Sequence, residues 1–125
     1  MTRQGFLLDT HVILWALSDS PRLPARHREI LADGSACHVS AVSIWEIAIK
    51  KSLGKLDISD GFLDILEETQ AIFLPVTPRH ANHILGLAHH HRDPFDRMLI
   101  AQAQIERLSI LTVDRHFAEY DVEVI

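Results

Sequence analysis

The stretch Gly5-Phe-Leu-Leu-Asp-Thr-His-Val-Ile-Leu-Trp-Ala-Leu17 decides how the chain is read. Gly5 to Leu8 reads as a short buried strand, Asp9 ends it, and Thr10 to Leu17 reads as an apolar helix. The same alternation continues outward. Ser18-Asp-Ser-Pro21 is a turn, Pro24 to Ala32 suits a helix with proline in its first turn, and Asp33-Gly34 stops it. Ala36 to Val39 is a second strand candidate, followed by a helix from about Ala41 to Ser52 that ends near Gly54. A short helix over Asp60 to Thr69 and a strand over Ala71 to Val76 come next. Helices are then expected at Pro78 to His89 and Pro94 to Leu108, strands at Ile110 to Val113 and at Val122 to Ile125. Apolar strands alternating with helices indicate a parallel sheet covered by helices on both faces. In such folds functional groups gather beyond the carboxyl ends of the strands, at the topological switch.

A chain of 125 residues with no repeat or linker is expected to form a single domain over residues 1–125, with one core large enough to need no staples. A hydrophobic content of 47% rules out disorder, and five Gly with five Pro rule out collagen-like sequence. Cys37 is the one cysteine, so no intrachain disulfide can form, which fits a reducing compartment. Arg3 before an apolar stretch resembles the start of a signal peptide, but Asp9 and His11 interrupt that stretch. No run approaches the roughly 20 apolar residues of a membrane span. A cytoplasmic protein without membrane contact is expected. Twelve Lys and Arg against 17 Asp and Glu give a net charge of −5, which argues against indiscriminate nucleic-acid binding. It leaves room for a nucleic-acid enzyme whose acids hold metal ions, because a bound dication inverts the local sign.

Four acids stand at strand ends and helix starts. Asp9 closes Phe6-Leu-Leu-Asp9 and Asp114 closes Leu111-Thr-Val-Asp114. Glu46 lies in the first turns of the helix after the second strand, and Asp96 in the first turn of the helix begun by Pro94. In a parallel sheet all four face the same edge. Each also has a plainer reading. Asp9 and Asp114 suit N-caps, Ser43-Ile-Trp-Glu46 fits a capping box, Asp93 suits a cap before Pro94, and Glu46 can pair with Lys50 at i+4. Jointly the plain reading weakens. Glu46 sits among Val42, Ile44, Trp45, Ile47, Ala48 and Ile49, where an unpartnered acid is costly. Two carboxylates 4 Å apart repel by about 4 kcal/mol at an effective dielectric near 20. A divalent cation offsets that, and oxygen-only ligation selects Mg²⁺ or Mn²⁺ over zinc. Such a site is suited to phosphodiester hydrolysis, which then needs no nucleophilic side chain. The chain contains no G-x-S-x-G elbow, Walker-type loop or G-x-G-x-x-G fingerprint.

Leu7-Leu-Asp-Thr10, Ser43-Ile-Trp-Glu-Ile47, His91-Arg-Asp-Pro-Phe-Asp-Arg-Met-Leu-Ile-Ala-Gln-Ala103 and Leu111-Thr-Val-Asp114 together resemble the motifs of PIN-domain ribonucleases, most closely the VapC-type toxins of toxin–antitoxin pairs. The similarity is ordered along almost the whole chain, and Asp-Pro-Phe-Asp-Arg is its most specific piece. The resemblance implies a three-layer α/β/α sandwich with a central parallel sheet and a Mg²⁺- or Mn²⁺-dependent endoribonuclease. Asp9, Glu46, Asp96 and Asp114 would be its catalytic and metal-binding quartet, with Asp93 a fifth candidate whose capping role competes. Thr10 and, more weakly, Thr112 are candidate hydroxyl contacts to phosphate or water. His11 is assigned only a place near the mouth. The resemblance also implies a cognate antitoxin and a homodimer.

Other residues are read more plainly. His89-His90-His91 are expected to be solvent-exposed, because three consecutive side chains diverge and cannot easily share one ion. Arg92, Arg97 and Arg115 are candidate RNA contacts, with salt bridges to the acids as the alternative for the last two. Lys50, Lys51 and Lys55 form a small basic face, and Trp15 is expected to pack in the core. Two competing functions remain. One is a non-catalytic PIN-like binding module partnering a DNA-binding antitoxin-like protein. The other is a phosphoaspartyl enzyme or receiver, disfavoured by His11 where a second Asp belongs and by the missing late lysine.

Overall fold

The computed structural model describes residues 5–125; Arg3, the cation of the signal-like start, lies outside them. Four parallel strands, β1 (Phe6–Leu8), β2 (Cys37–Ser40), β3 (Ile72–Leu74) and β4 (Ser109–Leu111), form one sheet in the order β3-β2-β1-β4. Phe6 pairs with Cys37 on one side and Ser109 on the other, so β1 lies in the middle of the sheet. The chain leaves β1 towards β2 and comes back to its other side as β4. The crevice of this switch therefore opens beyond the end of β1, where Asp9 stands.

The helices are α1 (Thr10–Leu17), α2 (Ala25–Ala32), α3 (Ala41–Ser52), α4 (Phe62–Glu67), α5 (Pro78–His83) and α6 (Pro94–Glu106). Two apolar clusters form around the sheet. Leu8, Val12, Ile13, Ile30, Val39, Phe62 and Leu66 build one, drawing on α1, α2 and α4. Leu7, Leu99, Ile100, Ala103, Ile110 and Phe117 build the other, dominated by α6. Consecutive residues Leu7 and Leu8 thus serve opposite clusters, as the period of two in a strand requires. This is the expected α/β/α sandwich. Trp15 packs, half-buried, against the first cluster as expected. No helix among the described residues is long and apolar enough to cross a membrane.

Gly5 has φ +134, and a Cβ there would lie 2.6 Å from the Ala36 carbonyl oxygen that accepts the Phe6 N–H. Glycine is required where β1 first meets β2.

Three elements depart from the sequence expectation. The helix expected over Pro78 to His89 stops at His83 and tightens into a 3₁₀ turn over Ile84–Gly86. The Leu87 and Ala88 carbonyls beyond it accept from the Arg97 guanidinium instead of from a following helical turn. The last strand is reduced to a single bridge between Ile110 and Val124. The cap of α3 is Ser40, whose hydroxyl accepts from Val42 N–H, so Ser43 and Glu46 are not a capping box. Their side chains are buried inside the molecule.

Candidate active site

Asp9 follows β1, and its N–H continues the ladder to the Leu111 carbonyl at 3.0 Å. Its side chain does not cap α1. It is buried and accepts the Thr112 hydroxyl at 2.8 Å. Thr112 in turn accepts from Asp114 N–H at 3.0 Å, so the turn after β4 ties both acids to one hydroxyl. Asp114 also caps, as one of its expected readings held, accepting from His116 N–H at the start of a 3₁₀ turn over Arg115–Glu119.

Across the crevice, Thr10 donates its hydroxyl hydrogen between Glu46 Oε1 at 2.8 Å and Ser43 Oγ at 2.9 Å, linking α1 to α3. Glu46 Oε2 accepts from Lys50 at 2.7 Å, the expected i+4 pair. Only 5% of the Glu46 side chain is exposed, and this double engagement is what makes its burial tolerable. The Lys50 ammonium is held above its ordinary pKa, chiefly by the hydrogen bond to Glu46.

Asp93 caps α6 as one of its expected readings held, its Oδ1 accepting from Phe95 N–H at 2.8 Å and Asp96 N–H at 3.2 Å. That cap turns Asp96 into the crevice. Burial and then the charges of Asp9, Asp93, Glu46 and Asp114 push the Asp96 carboxyl up to about 8. Asp9 is raised too, first by burial, with the Thr112 hydroxyl, His11 and the Thr10 N–H opposing and Glu46 adding to the rise. The structure therefore brings the four acids named from sequence to one place, with Asp93 at its edge.

His91 belongs there as well, contrary to the expectation of an exposed histidine. Its Nε2 lies 3.0 Å from Asp96 Oδ2 and 3.4 Å from Asp114 Oδ2. Its neighbours His89 and His90 are exposed as expected. The sequence shows only that His91 stands two residues before the cap of α6; where that segment runs is set by contacts distant in sequence.

Arg97 is not at the mouth. Its guanidinium is buried and donates to the carbonyls of Ala88 at 2.7 Å, Leu87 at 3.4 Å and His91 at 3.4 Å, and to the Tyr120 hydroxyl at 3.3 Å. It braces the 87–91 segment and leaves no donor face for RNA. Arg92 and Arg115 are exposed. So is Trp45, at 60%, beside Glu46 on α3; its ring meets Phe95, beside Asp96, edge-on at 5.3 Å between centroids. An exposed tryptophan resting on a half-buried phenylalanine beside the acids was not foreseen. Of the lysines, Lys51 is turned aside to Asp60 at 2.9 Å and to the Ile58 carbonyl.

The donor set suits a hard dication. Carboxylate oxygens of Asp96 and Asp114 and His91 Nε2 all lie within 4.8 Å of one another, and Asp9 is close enough for its charge to raise Asp96. The charge on Asp96 is strongly disfavoured without a cation, which marks a place where positive charge fits.

Residues 6–123 match the PIN domain, and the chain belongs to that family. Solved structures share its fold. The VapBC2 structure from Rickettsia felis, bound to a DNA fragment from its promoter, is 15% identical with a TM-score of 0.73, covering 96% of both chains. DNA-bound VapBC from Salmonella typhimurium is 19% identical, TM-score 0.69, covering 97% of this chain and 96% of that one. FitAcB from Neisseria gonorrhoeae is 22% identical, TM-score 0.67, covering 96% of both. No curated protein is a sequence match.

Proposed function

We propose that this PIN domain is a Mg²⁺- or Mn²⁺-dependent endoribonuclease that hydrolyses RNA phosphodiester bonds as the toxin of a toxin–antitoxin pair. One observation carries the reading. Asp96 is held in a half-buried crevice against Asp9, Glu46 and Asp114, an arrangement that is costly unless a cation occupies it. When bound, a divalent cation supplies charge neutralisation and Lewis acidity at a scissile phosphate.

The chain's own residues do the rest. Asp9, Asp96 and Asp114 hold the cation, and Asp93, committed to its cap, adds negative charge at the edge. Glu46 stands at the wall of the site with one oxygen on Thr10 and the other on Lys50. It is suited to orient water there. Thr10 fixes Glu46 and so acts on RNA at second hand. Arg92 and Arg115, exposed next to the acids, are the candidate phosphate contacts. The Trp45–Phe95 pair offers a stacking face for an unpaired base.

The partner reading rests on a second feature. An open groove of about 590 Å³ runs along α1 and α4, lined by Leu14, Trp15, Lys55, Ile58, Phe62 and Ile65 among others. It contains none of the four acids. An apolar antitoxin segment seated there would leave the acid crevice to be reached by its continuation. Two of the related folds named above come from VapBC structures, which favours the same partner class; a homodimeric toxin and a cytoplasmic setting go with that reading.

The test is RNA cleavage by the purified chain in Mn²⁺, with Asp9→Asn and Asp96→Asn as controls. Loss of at least about a hundredfold in either variant, with the fold intact, is the expected result. No cleavage by the parent chain, together with capture of a DNA-binding partner, would instead favour the binding-module reading.

A further inference from the structure

We infer that His91 is a positioning residue of this site: its Nε2 hydrogen-bonds Asp114, lies 3.0 Å from Asp96 Oδ2, and so sets the spacing of the two carboxylates. The inference rests on the nuclease reading above.

The ring's proton is assigned by a backbone group that cannot change. Asp93 N–H points at His91 Nδ1 at 3.3 Å, so Nδ1 accepts. The proton therefore sits on Nε2, which faces Asp96 Oδ2 at 3.0 Å and Asp114 Oδ2 at 3.4 Å. A nitrogen in that state is a donor and not a metal ligand, although its distance from the two oxygens would suit either. The two acids come from different elements, Asp96 from α6 and Asp114 from the turn after β4.

The ring is itself held from behind. His91 N–H donates to the Tyr120 hydroxyl at 2.8 Å, and the His91 carbonyl accepts from Arg97, which also donates to Tyr120. The imidazole packs against the rings of His116 and Phe117, at 5.3 and 6.4 Å between centroids. Buried Arg97 and Tyr120 thus acquire a function. They fix a main chain whose side chain aligns the site, as partners behind metal-binding carboxylates generally do.

The experiment measures Mn²⁺ binding by calorimetry to the parent chain, His91→Ala and His91→Gln, with urea denaturation confirming that each folds. A glutamine amide nitrogen can reach the place of Nε2 and donate. His91→Ala is expected to weaken Mn²⁺ binding by about tenfold or more, and His91→Gln to stay within about threefold of the parent. Equal affinity in His91→Ala overturns the inference while leaving the metal site standing. Imidazole nitrogen coupling to bound Mn²⁺ in pulsed electron paramagnetic resonance also overturns it, because His91 would then be a ligand. In the metal-free parent chain, ¹⁵N NMR should find the His91 proton on Nε2; finding it on Nδ1 removes the donor. A parent chain that binds no Mn²⁺ overturns both the inference and the nuclease reading.

Discussion

Thr112 donates its hydroxyl hydrogen to Asp9 Oδ2 at 2.8 Å, joining the ends of β4 and β1 across 103 positions of sequence. The bond opposes the rise that burial imposes on Asp9. Thr112→Val keeps the shape and removes the donor to Asp9 together with the acceptor of Asp114 N–H. It should destabilise the fold by about 1–3 kcal/mol at pH 7, the cost of an unmet buried acceptor. Without the bond Asp9 binds its proton more tightly in the folded state, so the deficit should be smaller near pH 4. Urea denaturation at the two pH values reads this out.

Asp96 sets a broader pH dependence. Its folded pKa of about 8 lies above that of an unfolded aspartate, about 3.9. Its contribution to stability is therefore full below pH 4 and is lost as pH rises towards 8, because the folded state holds the proton over that range. In metal-free buffer the melting temperature should fall across this window, and Asp96→Asn should flatten the profile. A parent profile that stays level between pH 5 and 8 would contradict the buried, crowded carboxyl.

A dication should reverse that loss. At pH 7.5, millimolar Mn²⁺ should raise the melting temperature by several degrees, since a ligand of the folded state alone stabilises it. Asp96→Asn should abolish most of the gain. Thermal denaturation with and without a chelator is the measurement.

Much of this arrangement was legible beforehand because each acid follows a strong local signal. Asp9 ends an apolar run, and Asp96 stands in the first turn after a proline. The parallel sheet then leaves them only one edge to share. His91 was hidden because its role depends on where an irregular segment runs, and that path is set by Arg97 and Tyr120, far away in sequence. Arg97 itself looked like a phosphate contact because charge is visible in sequence and burial is not. The Ser43–Glu46 spacing matched a capping box, but Ser40 stands one residue before α3 and takes the cap.

Arg97→Ala should cost about 2–4 kcal/mol, since it strips a buried charged donor from several carbonyls at once. Arg97→Lys should recover only part, because an ammonium lacks the fork that reaches Ala88 and Leu87 together. Denaturant midpoints for the two variants decide between a brace and a surface contact, which would cost little in either.

Trp45→Ala should leave melting temperature nearly unchanged, since the ring is 60% exposed, and raise KM for single-stranded RNA about threefold to tenfold, the value of a lost base stack. An unchanged KM would remove Trp45 from the surface that meets RNA.

Gly5 stands at the far rim of the sheet from the acids, where its missing side chain lets two main chains nearly touch. Adding a single methyl group there would wedge β1 away from Ala36, and only three residues separate that wedge from Asp9. A strand this short has no slack in which to absorb a shift. A side chain at this glycine should thus be felt twice, as strain where the strand begins and as a misplaced carboxylate where it ends.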